Sequence, residues 1–293
     1  MTGALANTAW RSLLFIPSDK PRIIEKAHMR GADALILDLE DAVPDAAKPA
    51  ARSQLQEAIT HLKANDASLL VRINQEDDHV VFDLQAAIRP GVDAIVVPKV
   101  EEAGRLIALA SAIEHLEQQR GMPVGRIGLL ALVESPAALF QLPAICAAPR
   151  LLGIALGSED FSRELGAAPS PHSLTLPCQW LALAAAAAGI HGFGLPDSLA
   201  NFQDLDRYAQ TAHTAQAMGL RGALCIHPAQ VAVVNAAFSP SEQDVAWALA
   251  VTSAWEKARE AGVGVVSLNG AMIDKPVVER ARRMLAHLPV THP

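Results

Sequence analysis

Carboxylates and cations recur along this chain, each directly after a short apolar run. Pro17-Ser18-Asp19-Lys20 follows the first run and Asp38-Leu39-Glu40-Asp41 the second. Arg72 and Asn74 stand at the third, Pro98-Lys99 at the fourth and Glu134 at the fifth. Gly157-Ser158-Glu159-Asp160 follows the sixth, and His227-Pro228 ends the eighth. Carboxylates gathered without Cys or a His pair suit a hard, oxygen-seeking cation such as Mg²⁺, which keeps several waters and takes one or two protein carboxylates. Other chemistries lack their marks. There is no G-x-x-x-x-G-K-[ST] and no G-x-G-x-x-G, and Ser158 does not sit in a G-x-S-x-G elbow. Hydride transfer, nucleotide hydrolysis and serine hydrolysis recede accordingly.

Such groups act together only if the fold brings the run ends to one place. The runs read as strands at 12–16, 34–37, 69–73, 94–97, 127–133, 153–156, 190–195 and 223–226. Helical patterns fall between them at 21–29, 46–63, 80–88, 101–119, 136–146, 176–188, 201–218 and 228–237. Strands apolar on both faces and separated by helices indicate parallel βα units. Eight units in about 230 residues predict an α/β protein with a (β/α)₈ TIM barrel, whose C-terminal rim would carry the polar run ends. A doubly wound open sheet is the alternative that spacing leaves open. Residues 1–238 would form the barrel and residues 239–293 a helical C-terminal extension that forms oligomers. Ser239-Pro240-Ser241-Glu242 reads as a capping box opening the first helix of that extension, and the last helix would follow Asp274 from Lys275.

Composition narrows the setting. The 293 residues are 51% hydrophobic and 19% charged, enough apolar content for a sizeable core, and the net charge of −7 argues against a nucleic-acid partner. The longest apolar stretch, 180–190, is well short of the roughly 20 residues that span a bilayer, so no membrane segment is expected. Residues 1–10 put no cation ahead of an apolar run, which predicts no secretory signal and a cytoplasmic enzyme. Cys146, Cys178 and Cys225 lie far apart, and neither structural zinc nor a disulfide framework is expected.

The strand-end motifs resemble those of the citrate lyase β-subunit-like group within the HpcH/HpaI aldolase and citrate lyase family. They are Arg11-Ser12-Leu13-Leu14-Phe15-Ile16-Pro17, Leu35 to Val43 with Asp38-Leu39-Glu40-Asp41 at its centre, Val71-Arg72-Ile73-Asn74, Val97-Pro98-Lys99 and Val133-Glu134-Ser135-Pro136. Ile154 to Phe161, Cys225 to Gln230 and Gly270-Ala271-Met272-Ile273-Asp274 complete the series in family order. The resemblance implies a Mg²⁺-dependent carbon–carbon lyase on a (β/α)₈ barrel, related to malyl-CoA and citramalyl-CoA lyases. Such an enzyme cleaves a β-hydroxyacyl-CoA thioester of malyl, citramalyl or citryl type to an acyl-CoA and a keto acid. It further implies Glu134 and Asp160 as metal ligands, with Glu134 also facing substrate, and Arg72 at the keto-acid carboxylate or developing oxyanion. Lys99 at its strand end reads equally as binding substrate, through a thioester or phosphate, or as satisfying strand-end carbonyls. Asp274 is implied as an acid/base delivered to a neighbouring subunit in a homotrimer or hexamer. Arg22 and Lys26 are implied at the CoA phosphates, with Phe15 beside the coenzyme. An acyl-carrier-protein thioester, or a non-CoA hydroxy-keto acid, is the alternative substrate. The sequence departs from the family pattern at Ser18 (usually Gly), at Ala271 (often Lys) and over 192–197.

Plainer roles stand beside these. Glu134 could cap the next helix, Asp160 could be a first-turn carboxylate favoured by the helix dipole, and Asp274 could be an N-cap. Asp38, Glu40 and Asp41 read equally as partners of metal-bound water or as a turn and cap. Arg22 and Lys26, four apart on one helix, read also as a solvated edge. His227 and Cys225 read as structural.

Overall fold

A computed structural model describes residues 10–260 and 265–286. The first unit, ending at Phe238, runs β1 (Ser12–Pro17), α1 (Pro21–Glu25), β2 (Ala34–Asp38), α2 (Lys48–Lys63), β3 (Leu69–Arg72), α3 (Asp77–Ala87), β4 (Ala94–Val97), α4 (Ala103–Gln119) and β5 (Gly128–Val133). It continues with α5 (Pro136–Cys146), β6 (Leu151–Leu156), α6 (Ser158–Leu165), α7 (Pro171–Ala188), β7 (His191–Phe193), α8 (Leu205–Ala217), β8 (Ala223–Cys225) and α9 (Pro228–Ala237). The second, from Ser239, comprises α10 (Glu242–Glu260), β9 (Val266–Leu268), β10 (Ala271–Ile273) and α11 (Lys275–Ala286).

Every residue of β2 to β6 is buried, because one face packs inside the barrel and the other under the helices. The eight strands pair in parallel in the order β7-β6-β5-β4-β3-β2-β1-β8. A bridge from Phe193 to Gly222, with Gly194 N–H donating to Gly222 O at 3.0 Å, joins the two outer strands. The open-sheet alternative is thereby excluded, and the (β/α)₈ barrel holds. At this seam a Cβ on residue 222 would fall 2.1 Å from Arg11 O, so only glycine lets the backbones approach so closely.

Several expected boundaries move. The first helix stops at Glu25, and a 3₁₀ turn, Ala27–Arg30, replaces its second half. The seventh helix starts at Pro171, five residues earlier than the periodicity indicates, because Ser170 and Ser173 form a capping box. The separate helix α6 escapes a pattern search because it is only eight residues long. In the second unit the capping box is Ser241 with Asp244, not Ser239 with Glu242: Asp244 N–H donates to Ser241 Oγ at 3.1 Å, and Ser241 N–H to Asp244 Oδ2 at 3.0 Å. Those contacts hold the Asp244 carboxyl below its ordinary range. Between the two helices of this unit lies a hairpin, β9 to β10, turning on Asn269 and Gly270, both with positive φ. Ala248, Val251, Ile273, Val278 and Ala281 form this unit's own small core.

Candidate active site

The polar run ends line the C-terminal rim. Asp38, the last residue of β2, is paired in register with Arg72, the last of β3, and is fully buried. Its Oδ1 accepts from Arg72 Nε at 2.7 Å and from Glu40 N–H at 3.0 Å, while Oδ2 accepts from Arg72 Nη2 at 2.6 Å and from Ala42 N–H at 3.1 Å. Asp38 therefore caps its own turn and clamps the arginine. The Arg72 guanidinium lies 4.6 Å from the Phe15 ring centroid, a cation–π arrangement. With one edge on Asp38 and one face on Phe15, only Nη1 remains, 3.0 Å from Glu40 Oε2 and 3.5 Å from Asp41 Oδ2. Burial opposes the Arg72 charge, but the Asp38 hydrogen bonds and the charges of Asp38, Glu40 and Asp41 outweigh it and hold the guanidinium protonated.

Lys99, just past β4, adopts a left-handed backbone with φ of 49°, costly for a side-chain-bearing residue. That conformation aims its N–H at Glu134 Oε2, 2.6 Å away, while Nζ donates to Glu40 Oε1 at 3.2 Å. Glu134 is 5% exposed at the end of β5, and its Oε1 takes no hydrogen bond from a described residue. Burial pushes its carboxyl up to about 7 against the Lys99 N–H bond, and Glu40 and Asp160 push the same way. Glu40 is also raised, first by burial, with Arg72 and Lys99 opposing. Gly157 leaves room for Glu134: a Cβ there would lie 2.5 Å from Glu134 Cγ. Helix capping after β5 falls to Ser135, whose Oγ accepts from Ala138 N–H, so Glu134 is not the cap.

Asp160 sits in the first turn of α6, and Arg163 Nη1 approaches it to 2.6 Å. A cleft of about 850 Å³ opens beside these groups, lined by Lys99, Glu134, Ser135, Arg105 and Arg163 among others. Among the described residues no three His, Cys, Asp or Glu side chains converge as a metal cage. The donor set instead fits a cation that keeps most of its water. Glu134, one buried carboxylate at the cleft, has an oxygen to spare, and Asp160 stands in the first turn of the helix that follows the next strand.

The other expected site residues are placed as follows. Arg22 and Lys26 do not share a helix face, because α1 ends at Glu25 and Lys26 is its C-cap. Arg22 borders a groove of about 440 Å³ with Gln54, Glu57 and His61. Phe15 serves as the platform for Arg72. Asp274 belongs to the second unit and caps α11, accepting from Val277 N–H at 3.3 Å. His227 caps α9 through Nδ1 and stacks on Phe202 at 4.5 Å, the structural reading. Cys225 is a buried thiol that burial pushes up to about 12. Sequence reasoning missed Asp83, a fully buried carboxylate on α3 that holds Asn74. Its one readable sign was an acidic residue on the inward face of an amphipathic helix.

Residues 11–228 match the sequence profile of the HpcH/HpaI aldolase/citrate lyase family. The chain is 37% identical to the citrate lyase subunit beta of Escherichia coli (strain K12), across 94% of this chain and 92% of that protein. It is 34% identical to a (3S)-malyl-CoA thioesterase of Cereibacter sphaeroides, across 94% of each. Among solved structures it resembles the protein CitE from Mycobacterium tuberculosis in complex with magnesium, acetoacetate and coenzyme A. The TM-score is 0.75 and the identity 30%, covering 95% of this chain and 97% of that one.

Proposed function

The chain belongs to the HpcH/HpaI aldolase/citrate lyase family, and we propose that it is a magnesium-dependent carbon–carbon lyase. Its substrate is a β-hydroxyacyl-CoA thioester of malyl, citramalyl or citryl type, and its products are an acyl-CoA and a keto acid. The observation that carries this reading is Glu134, desolvated at the cleft, fixed through one oxygen and free at the other. The magnesium, coenzyme A and acetoacetate bound by the Mycobacterium tuberculosis relative support it.

Glu134 and Asp160 hold the cation, which when bound supplies Lewis-acid polarisation of the substrate's hydroxyl, later carbonyl, oxygen. Arg72 takes the keto-acid carboxylate on its Nη1 edge, where the weakly placed Asp41 gives way, because Nε and Nη2 are committed to Asp38. Fixed donors of this kind act without reorganising during the reaction. Lys99, anchored by Glu40, faces the substrate from the next strand end. As the carbon–carbon bond breaks, the substrate hydroxyl gives up its proton to solvent and becomes the keto acid's carbonyl, and the bond's electron pair is left as an enolate on the thioester half; that enolate takes up a proton delivered by Asp274 of a neighbouring copy in a homotrimer or hexamer. Arg22 and Lys26 bind the CoA phosphates, and the enzyme works in the cytoplasm. A second reading, in which the thioester is carried by an acyl-carrier protein, draws support from the likeness to a citrate lyase subunit beta.

The test is keto-acid release from malyl-CoA, citramalyl-CoA and citryl-CoA, each with Mg²⁺ and with EDTA, by the wild type and Glu134→Ala. Metal-dependent release from one substrate, lost in the variant, is the expected result. No release from any CoA thioester by Mg²⁺-loaded protein overturns the free-standing lyase and favours the carrier-protein reading.

A further inference from the structure

A second buried polar cluster lies behind the rim, and the chemistry above makes no use of it. Asn74, two residues past Arg72, is completely buried. Its Nδ2 donates to Leu39 O at 2.9 Å and to Asp83 Oδ2 at 2.8 Å, and its backbone N–H donates to that same oxygen at 2.7 Å. Asp83 on α3 is completely buried too, and its Oδ1 accepts from Arg52 Nε of α2 at 2.6 Å. Arg52 in turn reaches His79 Nδ1 at 2.8 Å.

This chain of contacts ends on one peptide of the rim. Leu39 N–H donates to Arg72 O at 3.0 Å, so the strand-three exit holds Leu39 by its N–H and, through Asn74, by its C=O. Leu39 lies between Asp38, which clamps Arg72, and Glu40, which meets both Arg72 and Lys99. The arrangement is an expensive way to stabilise a fold. A buried carboxylate is repaid only by complete pairing, and apolar groups of similar size are often at least as stable. Asn74 Oδ1 moreover has no hydrogen-bond partner among the described residues, and turning the amide over would set that oxygen against Leu39 O and Asp83.

We propose that Asn74 and Asp83 are positioning residues that fix the Leu39–Asp41 segment so that Glu40 and Asp41 stand against Arg72 and Lys99. Their purpose is to keep negative charge on the Arg72 Nη1 edge until a substrate carboxylate replaces it in alignment. The kinetic consequence rests on the lyase reading; the consequence for loop rigidity does not.

Asn74→Ala is the test, read two ways. Amide hydrogen exchange over residues 38–43 is expected to rise at least tenfold, with residues 128–134 unchanged. In the condensation direction the keto-acid KM is expected to fall severalfold, because the freed guanidinium binds a carboxylate more readily. Under the same conditions kcat falls about tenfold, because the carboxylate is no longer held in line. A merely structural role lowers active enzyme and melting temperature and cannot lower KM. Exchange that stays unchanged, or rises equally across the barrel, overturns the proposal, as does a raised KM. If the protein turns over no thioester, the exchange result still decides the positioning role, while the lyase reading fails separately. Should Asn74→Ala not accumulate folded, Arg52→Lys keeps the charge beside Asp83 but loses the fixed fork. A smaller rise in exchange, confined to the same segment, is then expected, and no rise overturns the proposal.

Discussion

At the N-terminal ends of the strands, Glu117 is completely buried and both of its oxygens are answered. Ile127 N–H and Gly125 N–H each donate to it at 2.8 Å, and Arg150 Nη1 lies at 2.9 Å. Asp93 accepts from Leu69 N–H and Arg126, and Asp33 from Arg11 N–H and two guanidinium nitrogens. At the C-terminal ends Asp38 is as fully paired, but two other carboxylates are not. Glu40 Oε2 is near Arg72 but outside hydrogen-bond alignment, Glu134 uses one oxygen, and both carboxyls are pushed up by burial. One barrel thus buries acids in two ways. At the N-terminal ends every oxygen of these carboxylates has a donor; at the rim Glu40 and Glu134 are kept dry and under-partnered, the pattern of a site that awaits a ligand.

If that contrast is right, removing one acid from each end must give opposite phenotypes. Glu134→Ala is expected to lower keto-acid release about a thousandfold, the several kcal/mol a lost Lewis acid represents, with a denaturant midpoint equal to or above wild type. Glu117→Ala, which strands Arg150, is expected to cost about 3–5 kcal/mol in urea unfolding while kcat per folded molecule is unchanged. The contrast breaks if either variant shows the other's behaviour. Gly157→Ala probes the rim without touching a charge: the added Cβ displaces Glu134, and calorimetric Mg²⁺ affinity is expected to drop about 10–100-fold. Phe15→Leu should act least. Losing a cation–π contact of about 0.5–1 kcal/mol would raise the keto-acid KM roughly two- to fivefold with Mg²⁺ affinity unchanged.

Much of this was legible in the chain. Apolar runs with β-branched residues at barrel spacing announced the strands, and because side chains at strand ends face the rim, Asp38, Arg72, Lys99 and Glu134 could be named from position alone. What lay hidden depends on backbone angles or on partners distant in sequence. The left-handed turn at Lys99 that gives Glu134 its donor has no compositional sign. The grip of Asp83 on Asn74 crosses nine residues between a strand exit and a helix. Phe15 reads as an ordinary strand aromatic until the register of β1, β2 and β3 sets it beside Arg72. The hairpin at Asn269-Gly270 was readable, since that dipeptide suits a two-residue turn requiring positive φ.

The most direct test of the contrast is the melting temperature of wild type and Glu134→Ala, titrated with Mg²⁺ after treatment with EDTA. Mg²⁺ is expected to stabilise the wild type by about 2.7 kcal/mol at a hundredfold excess over its Kd and to leave the variant unmoved. An equal rise in both proteins, or none in the wild type, would contradict the claim that the rim keeps Glu134 open for a metal.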